Sequence, residues 1–340
     1  MMKQIIECVP NFSEGIDHEI IRNITDQIGL VAGVKLLNVD AGRDANRTVV
    51  TFAGEPEAVI EAAFRAIKTA GELIDMSTQK GTHPRMGATD VCPLIPVSNI
   101  TLKEVIVYAE KLARRVGEEL QIPIYLYEHS QPDKKRSNLA AIRAGEYEGF
   151  FKKIKLPNWK PDFGPAEMDA GRGATVIGAR DFLIAYNVNL NTASTHIANE
   201  IARDVRETGK IIFDKNGKKR IPGALKSVKA IGWFMEEYGK AQVSMNLTNI
   251  SATPIHIVFD EVCAKAEEHG IKVTGSELIG MIPLKAMTDA GRYFLQKQGI
   301  TYITNEPKLI NAAVQAMGLN ELAPFDPQKK IIEYQLDGVS

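Results

Sequence analysis

The sequence predicts an α+β protein built from two similar halves, each with the element order β-α-β-β-α-β. Three observations carry this reading. Short β-rich runs alternate with amphipathic helical stripes over the first hundred residues. The same order returns from residue 182, and a proline- and glycine-rich stretch at 145–173 separates the two sets.

In the first half, residues 3–9 form a short β-rich run, and 17–28 carry Ile21, Ile24 and Ile28 at helical spacing. Residues 34–40 are apolar and read as a buried strand ending at Asp40. A turn with Gly42, Asp44 and Asn46 leads to the β-branched run 47–53. Pro56 stands where a helix begins, since its missing N–H costs nothing in the first turn. Ile60, Ala63, Phe64, Ile67 and Ile74 then make one apolar stripe, and 91–96 reads as the next strand.

In the second half, residues 182–189 read as a strand, and Ser194 can cap a helix carrying Ile197, Ile201 and Val205. Residues 228–234 are strand-like. Val243, Met245 and Leu247 alternate with Gln242, Ser244 and Asn246. Thr253-Pro254 opens a helix with Ile255, Val258, Phe259, Val262 and Ala266 on one side, and 272–283 contains the last strand of this set. Asn216-Gly217 marks an inserted hairpin within 214–220. Helices are expected at 284–298 and 307–317, and 331–336 reads as a final strand or extended tail. Each half therefore follows the split β-α-β, ferredoxin-like order, with the division expected at 1–180 and 181–340. The stretch 145–173, with Pro157, Pro161 and Pro165, is expected to lack regular elements and to serve as a linker or covering loop.

Composition is that of a globular protein: 44% hydrophobic, 24% charged, with a formal net charge of -1. Nothing in that balance favours nucleic acid or an acidic membrane surface. The basic runs 134–136 and 218–220 read as solvated loops. Cys8, Cys92 and Cys263 are odd in number and far apart, so no disulfide framework or zinc knuckle is indicated. Free thiols, with no signal peptide visible at the N-terminus and no apolar run of membrane-spanning length, lead to the expectation of a cytoplasmic protein.

Three segments hold more polar groups and glycine than plain loops need: 8–15 (CVPNFSEG), 38–48 (NVDAGRDANRT) and 80–88 (KGTHPRMGA). His83, in the third, stands out among the six histidines. The following proline biases it toward an extended backbone, and the flanking glycines permit close approach of a substrate. Imidazole titrates near neutral pH, so it can take and return a proton in one cycle. The plain alternative is a surface histidine. Asp40 is either a turn carboxylate bonding its own backbone or a group that orients and charges a histidine. Arg85 and Arg47 could each grip a substrate carboxylate through two parallel hydrogen bonds, or be ordinary surface charges. The glycines at 171–173 lack dinucleotide spacing and precede a predicted strand. No phosphate-binding P-loop, His-Glu-x-x-His or Gly-x-Ser-x-Gly motif occurs, and no carboxylate cluster suggests a metal.

These same segments carry a resemblance. Residues 8–15, 39–48, 81–88 with Asp90-Val91-Cys92-Pro93, and 141–147 (AIRAGEY) resemble glutamate formiminotransferase, the transferase part of formiminotransferase-cyclodeaminase. Residues 161–165 (PDFGP), Gly232-Trp233, 283–286 (PLKA) and 331–334 extend it over essentially the whole chain. The resemblance implies N- and C-terminal formiminotransferase subdomains, both ferredoxin-like, with a folate tunnel between them, and a homodimer. It implies His83 as the proton-transfer residue, with Asp40 beside it. The loop Gly164, Pro165, Ala166, Glu167, Met168, Asp169, Ala170, Gly171, Arg172 and Gly173 is expected to contribute to the folate site. Asn11 joins Arg85 and Arg47 as expected substrate-binding residues.

The expected reaction moves a formimino group between 5-formiminotetrahydrofolate and L-glutamate, in histidine degradation and one-carbon metabolism. Tetrahydrofolate would be a cosubstrate, and no metal is expected. The resemblance covers the transferase part alone, so a separate cyclodeaminase is expected for the next step. Two alternatives stand beside this one: a related glutamate formyltransferase using 5-formyltetrahydrofolate, and a non-catalytic folate-binding or scaffold protein.

Overall fold

A computed structural model describes residues 4–43, 45–81, 84–214 and 217–336. The chain divides into two compact units, one ending at Arg180 and one beginning at Asp181.

The first unit opens with β1 (Ile5–Cys8) and β2 (Asn11–Phe12), two pieces of one line of chain. They are followed by α1 (His18–Gly29), β3 (Val34–Gly42), β4 (Arg47–Gly54), α2 (Pro56–Leu73) and β5 (Thr89–Ser98). In space the strands run β3-β4-β1/β2-β5, all antiparallel neighbours. Beyond β5, the sheet continues in parallel through β7 (Thr175–Ala179) to β6 (Ile124–Leu126).

Local chemistry explains the helices. The Asp17 carboxylate accepts the amides of Glu19 (2.8 Å) and Ile20 (3.2 Å), which starts α1. Pro56 occupies the first turn of α2. The helix α3 (Leu102–Glu119) begins with a full capping box between Thr101 and Glu104. Ile24, Ile28, Val59, Ala63, Ile67, Val105, Leu112 and Val116 from these helices pack on Ile6, Cys8, Val50 and Phe52 of the sheet. Burying an aliphatic or aromatic side chain of this size contributes about 1.5–3 kcal/mol.

The second unit contains β8 (Ile184–Leu190), α6 (Thr195–Val205), the hairpin strands β9 (Lys210–Asp214) and β10 (Gly217–Ile221), and β11 (Val228–Met235). It continues with β12 (Lys240–Leu247), α7 (Ile255–Glu268) and β13 (Val273–Ile279). The main sheet runs β11-β12-β8-β13, antiparallel throughout. With the hairpin set aside, this is the spatial order of β3-β4-β1-β5 in the first unit. Ser194 caps α6 through the Ile197 amide. Val243, Met245 and Leu247 are buried beside Val258 and Val262 of α7. Two longer helices, α8 (Leu284–Lys297) and α9 (Glu306–Ala316), follow the sheet. No helix among the described residues is long and apolar enough to cross a membrane.

Three expectations need correction. The run ending at Asp40 is an edge strand, not a buried one: α1 covers part of one face, while residues 38–41 are exposed. An apolar run does not distinguish edge from interior. The stretch 145–173 is not wholly irregular. After the short helix α4 (Leu139–Arg143), it opens with α5 (Glu146–Lys153), which sends Tyr147 and Phe150 into the core. Its prolines all fall beyond α5. Finally, 331–336 forms no strand. Asp326 caps α10 (Pro327–Lys330), Ile331 bridges to Ile282, and α11 (Ile332–Leu336) follows.

Candidate active site

The three polar, glycine-rich segments meet in the first unit. Ser13 donates its hydroxyl to the Gly87 carbonyl (2.7 Å), and its amide bonds the Ala88 carbonyl (2.9 Å). Thr48 donates its hydroxyl to the Glu14 carbonyl (2.5 Å). Asn46 accepts the Gly15 amide (2.9 Å) and donates to the Lys80 carbonyl (2.7 Å), while Gln79 donates to the Asn46 carbonyl (3.0 Å). Gly15 is required by this approach: a Cβ there would lie 2.4 Å from the Gly42 oxygen and 2.5 Å from the Arg47 nitrogen. Thr82 and His83 lie outside the described residues, but both flanks of that position are fixed in this knot.

Strand register puts the other expected residues together. Asp40 on β3 faces Val49 on β4, Val49 faces Asn11 on β2, and Asn11 faces Val91 on β5. Residues opposed across a ladder share a face. Asp40, Val49 and Asn11 therefore point to one side, and Arg47, two residues before Val49, points there too. This side is opposite the face on which Val50 and Phe52 pack on α1 and α2. Asn11 is buried and donates to the Val9 carbonyl (2.9 Å), whereas Asp40 is exposed. Burial pulls the Arg47 guanidinium below its usual range; Asp90 and Asp40 oppose that pull, and Arg143 adds to it.

Asp90 is 1% exposed at the start of β5. One of its oxygens accepts the Met86 amide (3.1 Å), and both accept the Arg143 guanidinium, from Nε and Nη2. Burial pushes its carboxyl up, against the pull of Arg143 and Arg47. Arg85 is engaged within its own unit. It donates to both Glu148 oxygens (3.1 and 2.8 Å), to the Gln79 side-chain oxygen (2.8 Å) and to the Gln79 carbonyl (3.1 Å). Glu148 holds that guanidinium above its usual range.

The loop Gly164–Gly173 is stitched to the same region. Gly164 and Gly173 adopt left-handed backbone, at φ 80° and 71°. Tyr147 donates to the Ala170 carbonyl (2.6 Å), Met76 N–H to the Gly171 carbonyl (2.8 Å), and Ala88 N–H to the Arg172 carbonyl (2.8 Å). Gly173 bridges Gly87, and a Cβ on Gly173 would stand 2.3 Å from the Met86 oxygen. Arg172 pairs with Asp169 (3.1 Å) and reaches the Leu120 carbonyl (2.7 Å). Met168 is buried, Pro165 is half-buried, and Ala166 and Glu167 are exposed. Among the described residues no group of three or more His, Cys, Asp or Glu side chains could hold a metal ion.

Residues 5–180 match the family described as formiminotransferase domain, N-terminal subdomain, and residues 185–337 match the formiminotransferase domain. The chain belongs to the formiminotransferase family. It is 48% identical over 333 residues to the formimidoyltransferase-cyclodeaminase of Gallus gallus, covering 98% of this chain and 60% of that protein. It is 42% identical over 297 residues to the glutamate formimidoyltransferase of Thermoplasma acidophilum, covering 87% and 93%. With the glutamate formimidoyltransferase of Streptococcus pyogenes serotype M1 it shares 40% identity over 301 residues, covering 88% and 96%. The chain thus spans about 60% of the length of the cyclodeaminase-bearing relatives.

Within this chain, Asp40, Asn11 and Arg47 share a sheet face, and the 164–173 loop joins the segment that carries His83. Arg85 is turned to Glu146 and Glu148. Sequence reasoning did not single out Asp90 or Arg143 as site residues. Their signal was an acidic residue entering an apolar strand directly after the glycine-rich loop.

Proposed function

We propose that this chain is a glutamate formimidoyltransferase, moving a formimino group between 5-formiminotetrahydrofolate and L-glutamate. One observation carries the reading. Asp40, Asn11 and Arg47 lie on one sheet face beside the segment that holds His83, and the 164–173 loop is bonded to that same segment.

The chemistry asks for a proton shuttle and a carboxylate grip. The formimino carbon on N5 is an amidine-like electrophile, and the glutamate amine attacks it only when deprotonated. His83 takes that proton and returns it to N5 as the folate leaves. Asp40 stabilises the imidazolium formed on the way and favours a positively charged amidine. Arg47 holds a glutamate carboxylate, its cost of burial lowering the guanidinium's affinity for its proton but leaving it charged at neutral pH. Arg85 shapes the segment through Glu148. Asn11 lines the same face. The folate is a cosubstrate held in part by Gly164–Gly173, whose exposed Ala166 and Glu167 are open to a ligand. Exclusion of water protects the transferring carbon from hydrolysis.

The finer architecture follows. Each unit is a ferredoxin-like βαββαβ subdomain, supported by the orders β3-β4-β1-β5 and β11-β12-β8-β13. The folate tunnel draws on the 164–173 loop. The enzyme works in the cytoplasm as a homodimer, in histidine degradation and one-carbon metabolism.

The test is donor selectivity. Purified protein with glutamate is given 5-formimino- or 5-formyltetrahydrofolate, and the glutamate product is followed. Faster transfer from the formimino donor is expected. Faster transfer from the formyl donor, or folate binding without transfer, contradicts the reading.

A further inference from the structure

The residues that follow His83 are held by a helical pair remote in sequence. The Tyr147 amide, on α5, donates to the Arg85 carbonyl (2.9 Å), and Glu148 grips the Arg85 guanidinium. Arg143, at the end of α4, forks onto Asp90, and Asp90 in turn accepts the Met86 amide (3.1 Å). Lys153 secures α4: its ammonium donates to the carbonyls of Ala141 (2.7 Å), Ile142 (2.7 Å) and Ala144 (3.1 Å) and lies 3.9 Å from the Trp159 ring centre. Arg143 is therefore presented on a helix whose last turn is itself tied down. The ion pair has side chains only 15% and 1% exposed, so solvent does not substitute for either partner.

We propose that Arg143 and Asp90 are the positioning pair of the His83 segment, with Lys153 holding Arg143 in place. The pair sets the backbone at Met86, three residues beyond His83, and so the geometry from which the imidazole works. The inference rests on His83 being the proton-transfer residue. Planar, two-pronged bonding is what this role demands: a lysine at 143 keeps the charge and loses the fork.

The test compares Arg143→Lys with wild type by steady-state kinetics, thermal melting and amide hydrogen exchange over residues 79–90. Expected are a kcat lower by about 10- to 100-fold, glutamate and folate KM within about threefold, and faster exchange at residues 85–90. Should Arg143→Lys fail to fold, Lys153→Gln spares the ion pair and is expected to show the same pattern at smaller size. Unchanged kcat and exchange overturn the proposal, as does a loss that appears equally in kcat and both KM values. If wild type transfers neither one-carbon group, the proposed function falls, and the exchange data alone decide whether the pair positions the segment.

Discussion

The side-chain amide of Asn46 donates to the Lys80 carbonyl at 2.7 Å, while its oxygen accepts the Gly15 amide at 2.9 Å. One residue, held at φ 46°, thus ties together the strand-to-strand turn, the first glycine-rich segment and the entry to the His83 segment. Asparagine suits this position because it tolerates left-handed backbone and bonds in both directions. Asn46→Ala loses both bonds and strains the backbone, and is expected to destabilise the protein by about 2 kcal/mol. Asn46→Gly relieves the strain but not the lost bonds, so it should fall between the two in urea unfolding. Equal stability of the alanine and glycine variants would contradict the backbone part of this account.

Arg47 and Arg85 are expected to separate in kinetics. Arg47 shares the Asp40 face, so Arg47→Lys should raise the glutamate KM about tenfold through loss of paired hydrogen bonds. Arg85 is occupied by Glu148 and Gln79, so Arg85→Lys should lower kcat and the melting temperature and leave the glutamate KM within about twofold. A large glutamate KM effect at Arg85 alone would exchange the two roles.

Gly173 carries two constraints at once, a left-handed φ of 71° and a Cβ direction that ends 2.3 Å from the Met86 oxygen. Gly173→Ala must push the 164–173 loop off the His83 segment. The expected result is a loss of about 2 kcal/mol or more in stability together with weaker folate binding, read by calorimetric titration. Folate affinity equal to wild type would remove this loop from the site.

His256, on α7, lies against Tyr293 of α8, with ring centres 4.6 Å apart, and its Nδ1 is buried without a hydrogen-bond partner among the described residues. Burial lowers its pKa from 6.5; Asp289 and Asp260 oppose that shift. The folded state therefore prefers neutral imidazole. The stability this confers is fully present above the unfolded value of 6.5 and is lost as pH falls through the lower folded value. His256→Gln should remove that component from a pH series of urea midpoints. A variant with the same slope below 6.5 as wild type would show that other groups cause it.

Much of the fold was legible because periodicity records burial. Ile60, Ala63, Phe64 and Ile67 line the buried face of α2, and Val243, Met245 and Leu247 line that of β12. The chemistry of the site was less legible. Asp90 gains its character from Arg143, 53 residues away, and no local spacing announces that pairing. The helix α3 is not among the expected elements, although Thr101 and Glu104 spell its capping box and Val105, Leu112 and Val116 its buried stripe. The β3 edge is not legible because apolar composition does not record how many neighbours a strand has. Residues 331–336 carry a paired Ile331-Ile332 that favours a strand by local composition, while the structure places a short helix there.

The most direct measurement is glutamate-dependent formation of N-formimino-L-glutamate from 5-formiminotetrahydrofolate by wild type and by His83→Ala, with both shown to be folded by thermal melting. Transfer by wild type and a kcat lower by about 100-fold or more in the variant are predicted, the size of loss expected when a general acid–base group is removed. A folded His83→Ala protein that turns over at a near-normal rate would contradict the proton-shuttle role at the centre of the mechanism.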